Sequence, residues 1–271
     1  MVGLTLAALL DARPNRPFWG RAWVEQVLTK HLPGFDADPS GDELCGWSVG
    51  AALDNETLVQ SRPILRDRAD PVEDLLRTPA GCIVAAFASR APNMLVSDTA
   101  SSIRVARYRR WMGVRNGDDL TSDQRSASRA DLPDFLARAA GSSDTEIVFL
   151  RYLAALHELG ALGKAYAPHD AIRAALRAVG ERFPDGPANL FVSDGRTLGI
   201  LHRGGTLLAF EPPKDVRPSR SWRVDTGEPS APAMLFLWKA GPPPDAPDGA
   251  ERISEGVLTV PVAKPSLLER D

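Results

Sequence analysis

Four short segments of this 271-residue chain carry the residue types and spacing that could do chemistry. They are Cys45-Gly46-Trp47-Ser48-Val49-Gly50, Arg90 after the apolar run Cys82 to Phe87, Arg115-Asn116-Gly117-Asp118, and Ser143-Asp144-Thr145-Glu146. An arginine offers a planar fork of donors that matches the two oxygens of a carboxylate. Asn-Gly after a strand is ordinarily a turn signal. An acid at the start of a helix is ordinarily explained by the helix dipole. Each segment therefore has a plain structural reading beside a functional one. Thiols are scarce. Cys45 and Cys82 show no CxxC and no zinc-like spacing. A disulfide between them stays open, with two reduced thiols in a cytoplasmic protein as the simpler expectation. His157 lies mid-helix and His202 in a strand, without a metal partner at ligand spacing, and both read as structural. No metal and no cofactor is expected.

Composition narrows the field. An apolar fraction of 44% is ample for a buried core, and the length suits one large domain or two small ones. A net charge of -3 argues against a nucleic-acid protein, whose affinity would come from neutralising phosphates. The arginines at 104, 107, 109, 110 and 115 read as a solvated face rather than an anion site. Met1 to Leu10 is apolar but has no basic segment before it, and Asp11 follows at once. It reads as a buried first strand and not as a signal peptide or a membrane span.

The elements that must position these residues follow from periodicity and breakers. Val2 to Leu10, Cys45 to Leu53, Leu58 to Leu65, Gly81 to Ala88 and Tyr108 to Val114 read as strands, with a turn at Asp54-Asn55. Trp23 to Leu32 and Pro71 to Leu76 read as helices. Asn116 to Arg129 is polar and reads as a loop, followed by a short helix over Asp131 to Ala139. Ser143 with Glu146 three residues on is a capping-box pattern for a helix from Asp144 to Leu159. A further helix spans Asp170 to Phe183. The last third is a meander: Asn189 to Ser193, Leu198 to His202, Thr206 to Phe210, Ala233 to Leu237 and Gly256 to Val262, with a proline-rich loop at Gly241 to Gly249. Strands, then helices, then strands predict an α+β layered fold in one domain over residues 1–271.

In this order the segments resemble the class II glutamine amidotransferases, whose N-terminal domain hydrolyses glutamine to glutamate and ammonia. Within that family the chain is similar to the ergothioneine-pathway γ-glutamyl hydrolase branch. The resemblance runs from Met1 to about Gly205, with a tail in Ile253 to Val262. Tyr108 to Gly117 is its most specific piece, and Asn189 to Gly195 is similar to a family strand and turn. It implies a four-layer αββα sandwich of the N-terminal nucleophile hydrolase type. It also implies roles: Arg90 for the substrate carboxylate, Asp144 for the substrate ammonium, and Asn116 with Gly117 as an oxyanion hole where charge develops on the attacked carbonyl. Asn93 stands where the family has threonine, and Arg115 where it has an aromatic residue or histidine.

The decisive departure is Val2. The family has cysteine there, and its thiol attacks while its free α-amine serves as the base. Valine offers no nucleophilic atom. Cys45 aligns with the family's glycine turn rather than its first strand, so a buried inert thiol is the better reading than a new N-terminal nucleophile. Three readings result. The first is a domain that binds glutamine or a γ-glutamyl compound with little or no hydrolysis, as partner subunit of a synthetase or ligase. The second is an active glutamine amidotransferase or γ-glutamyl amide hydrolase whose cysteine has been exchanged in this sequence. The third is a structural subunit without ligand. The length leaves no room for the family's usual synthetase domain, so an ammonia acceptor is expected on another subunit. No nucleic acid and no membrane is expected as partner.

Overall fold

The computed structural model describes residues 3–11, 21–31, 43–53, 56–62, 82–90, 104–117, 119–139, 141, 143–184, 188–210, 233–239 and 250–261. Two antiparallel sheets form its centre. The first has the order β11-β9-β10-β1-β4-β2-β3. Its members are β1 (Gly3–Asp11), β2 (Glu43–Leu53), β3 (Glu56–Arg62), β4 (Cys82–Arg90), β9 (Thr206–Phe210), β10 (Ala233–Lys239) and β11 (Ala250–Ile253). The second has the order β12-β8-β7-β6-β5. It comprises β5 (Ala106–Tyr108), β6 (Trp111–Gly117), β7 (Ala188–Ser193), β8 (Thr197–His202) and β12 (Gly256–Pro261). Helix α1 (Arg21–His31) precedes β2. Helices α2 (Ser122–Ala130), α3 (Asp134–Ala137), α4 (Asp144–Glu158) and α5 (His169–Arg182) lie between β6 and β7.

The continuous apolar runs follow from this layering. In β4, Ile83, Ala85 and Phe87 pack with Trp23, Val24 and Leu28 of α1. The alternate residues Cys82, Val84, Ala86 and Ala88 pack against Met112, Val114 and Phe191 of the second sheet. Strand β1 divides in the same way, so both strands are covered on both faces and need apolar residues at every position. On the far side of the second sheet, Trp111, Leu190 and Val192 meet Ile147, Leu150, Leu153, Ile172 and Leu176 of α4 and α5. Burying each such side chain contributes roughly 1.5–3 kcal/mol. The four layers are thus α1, first sheet, second sheet, and α4 with α5. This is an α+β sandwich of the αββα kind.

Several expectations are corrected. The strand expected over Cys45 to Leu53 is β2, which begins two residues earlier at Glu43. Its register with β4 shifts between Leu44 and Gly46, so Cys45 is the extra residue of a bulge. Gly50 is required by close packing: a Cβ there would lie 2.7 Å from Val105 Cγ1. The expected Asn116–Arg129 loop instead contains α2, and Asn116 and Gly117 close β6 rather than lying beyond it. The Tyr108–Val114 strand is two strands joined at Arg109-Arg110, where Arg109 takes φ 53° in a tight hairpin. The Asp131–Ala139 helix shrinks to α3. Strand β11, in the first sheet, was not foreseen. The expected Pro71–Leu76 helix, the Asp54-Asn55 turn and the Gly241–Gly249 loop lie outside the described residues.

Candidate functional site

The site is assembled where β6 ends. Met112 and Val114 face the other sheet and Trp111 faces the helices. Strand alternation therefore carries Asn116 onto the inter-sheet side and Arg115 onto the helix side. Asn116 and Gly117 are half-buried and stand in register with Asn189 and Ala188 of β7. In the first sheet Gly3 pairs with Ser89, and Glu43 pairs with Arg90, the last residue of β4. The opposite ends of the two sheets are matched at Gly195, where a Cβ would lie 2.7 Å from Ala52 Cβ. The Gly3 and Arg90 end of the first sheet therefore lies over the Asn116-Gly117 end of the second. Val2 and Asn93 lie outside the described residues.

Asp144 joins this end through the chain that leaves β6. It is the first residue of α4, capped by Ser143, whose Oγ accepts from Glu146 N at 3.2 Å. The Glu146 carboxylate folds back to accept from Ser143 N at 3.2 Å. Gly141 leaves room for that carboxylate, since a Cβ there would fall 1.9 Å from Glu146 Oε2. The Asp144 carboxylate accepts from Leu120 N at 2.8 Å. It also takes a two-pronged contact from Arg125 of α2, Nε to Oδ1 at 2.6 Å and Nη2 to Oδ2 at 2.9 Å. Burial works against its charged form. The Arg125 and Leu120 hydrogen bonds, with the charges of Arg125 and Arg115, outweigh burial and hold the carboxyl below its ordinary pKa. Arg125 was not foreseen as a site residue. The signal for it was present in Thr121 and Gln124, a second capping box that fixes the start of α2.

Beside this pair a cavity of about 210 Å³ opens between α4, α5 and the second sheet. Arg115, Asp119, Thr121, Gln124 and Asn189 supply its polar lining, and Val148, Val179, Phe183, Leu190 and Leu201 its apolar lining. Asn189 is committed to structure: its amide takes Arg203 N at 3.0 Å and donates to Arg203 O at 3.3 Å. That exchange pins the β8–β9 connection beside Asn116. Arg110 is structural as well, donating to Ala165 O at 2.8 Å and to Lys164 O, whereas Arg107 and Arg109 are exposed.

Cys82 is a free, buried thiol at the far end of the sandwich, so it forms no disulfide with Cys45. Desolvation, aided by the Asp194 charge and only partly offset by a Ser193 hydrogen bond, pushes its pKa up to about 12. That disqualifies it as a nucleophile at neutral pH. His157 stacks edge-on to Phe135 at 4.9 Å between ring centroids, and His202 Nδ1 lies 3.3 Å from Ser254 O. Among the described residues no group of three or more His, Cys, Asp or Glu is arranged to hold a metal ion. No described helix is long and apolar enough to cross a membrane.

Neither a protein-family model nor a curated protein matches this chain. Solved structures do. A glutamine aminotransferase class-II domain protein from Silicibacter pomeroyi superposes with a TM-score of 0.51 at 15% identity, covering 94% of each chain. The two chains share a fold. A protein described as a predicted glutamine amidotransferase from Pseudomonas aeruginosa gives a TM-score of 0.49 at 12% identity over 97% of each chain.

Proposed function

We propose that residues 1–271 act as one glutamine amidotransferase-like domain that binds glutamine or a γ-glutamyl compound at the Asn116 end of the sandwich. With Val2 before the first strand, it turns the ligand over little or not at all. The observation that carries this reading is a juxtaposition. Asn116-Gly117 leaves β6 and leads within a few residues to the Leu120–Asp144 contact, at the end where β1 begins and β4 finishes at Arg90. In this reading Arg90 and Asn93 hold the ligand carboxylate, Asn116 and the Gly117 N–H face its amide oxygen, and Asp144 lies at its α-carbon end. The domain serves a synthetase or ligase partner in the cytoplasm.

Chemistry explains why binding and turnover separate here. A thiolate must form a C–S bond to the amide carbon, ammonia must leave with a proton, and water must then cleave the thioester. Valine can take no part in the first step. The oxyanion donors act on the charge that this attack creates, so without attack they contribute only to binding. Calorimetric titration with glutamine and ammonia release by a Val2→Cys protein test the reading. Binding in the valine form with turnover gained on adding cysteine is the expected result. Absence of both sinks it.

The reading without a ligand also has an observation in its favour. The Asp144 carboxylate is already supplied with donors from Arg125 and Leu120, as a purely structural helix-cap acid would be. That same contact bears on which ligand fits.

A further inference from the structure

A carboxylate reserved for a ligand's ammonium group should leave acceptor positions facing the site. Asp144 does not. Three N–H groups converge on its two oxygens, and the side chain is 12% exposed. The Arg125 fork fits both oxygens at once, the geometry in which arginine binds carboxylate most strongly. One full positive charge thus sits where an incoming ammonium would have to go.

Arg125 is not a loose side chain that happens to lie nearby. Helix α2 is fastened at both ends. Thr121 and Gln124 close a capping box at its start, with Gln124 N to Thr121 Oγ1 at 3.2 Å and Thr121 N to Gln124 Oε1 at 2.9 Å. At its other end Arg129 Nη2 donates to Gly141 O at 2.7 Å, and Arg151 of α4 donates to Asp131 O at 2.8 Å. Leu120, just before the cap, is held by Asp144 itself. Moving the guanidinium aside means giving up a charge-assisted fork on an anchored helix. Asp119 offers a second acid on the cavity wall, but it is exposed, where an ion pair contributes little.

We infer that Arg125 stands in for the ligand's ammonium group, so that the site prefers an ω-amide of a simple dicarboxylic acid, without an α-amine, over glutamine. Arg125 is then a specificity-determining residue. The inference rests on the amide-binding reading above and sharpens it. An α-ammonium placed beside the guanidinium meets like charge and finds the carboxylate's charge already balanced by Arg125, whereas a methylene at that position meets neither penalty.

The test is calorimetric titration of the full chain and of Arg125→Gln, each with glutamine and with glutaric acid monoamide, its desamino counterpart. The ratio of the two affinities within one protein does not depend on the fraction folded. A thermal melt of the variant accompanies the titrations. The expected result is a preference of about tenfold or more for the monoamide in the unaltered chain, falling or reversing in Arg125→Gln. A preference for glutamine in the unaltered chain, with an unchanged ratio in the variant, overturns the inference and leaves the amide-binding reading standing. Binding of neither compound to either protein overturns both.

Discussion

Asp144 has a backbone N–H, a guanidinium fork and a helix N-terminus all acting on one carboxylate, and the physical consequences can be read residue by residue. Its depressed pKa means that it contributes stability fully above the unfolded carboxyl value of about 4, and that this is lost as pH falls through the lower folded value. Replacing it with alanine strips Leu120 N–H of its acceptor, a loss of about 1–3 kcal/mol. Urea denaturation at pH 7 should register that loss, and the gap between the two proteins should narrow as the solution is acidified. Cys82 gives a second test at this scale. A thiol with its pKa pushed up to about 12 and no exposed surface should not react with a thiol reagent at pH 8 until the protein unfolds. Peptide mapping after native labelling checks this, and rapid modification of Cys82 would contradict the burial. Asn116 carries the proposed oxyanion role. In a Val2→Cys protein that releases ammonia, Asn116→Ala should lower kcat about 10²–10³-fold. Melting of the variant should barely change, which separates this role from a structural one.

At the scale of elements, the sequence spoke most clearly where two faces are buried. Strands β1 and β4 read as continuous apolar runs because one sheet and one helix claim alternate residues. Helix α4 was legible to within one residue from its Ser143–Glu146 box. Helix α2 was not, because only Ser128 of its residues is buried and no apolar stripe marks it. Its one sign was the spacing of Thr121 and Gln124, and missing it hid Arg125, the residue to which ligand choice is proposed to fall. The three-residue β5 and four-residue β11 are too short for a periodicity to show. Within β2, Gly50 serves sheet-to-sheet contact. Gly50→Ala should therefore cost about 1–3 kcal/mol by pressing on Val105 and Met112, measurable as a lowered denaturation midpoint. A neutral outcome would contradict the close approach of the two sheets at that point.

At the scale of the whole molecule, the proposed site lies at one end of the sandwich and the other end is closed core. The Cys82, Ala52 and Gly195 end has a buried thiol and tight turns. The Asn116 end gathers the close of β6, the start of β1, the last residue of β4 and the first turn of α4. The α+β class was legible from the order strands, helices, strands, whereas the four αββα layers were what the resemblance implied. The Arg125–Asp144 contact was not legible, since a list of matching residues cannot say that one of them is already paired. The account stands or falls on whether this end is a working amide site that lacks only a nucleophile. The most direct measurement is ammonia release by Val2→Cys beside the unaltered chain, with glutamine and glutaric acid monoamide as alternative substrates. The account predicts release by the cysteine protein, faster from the monoamide, and none by the valine chain. Equal release by both proteins, or none by either, would contradict it.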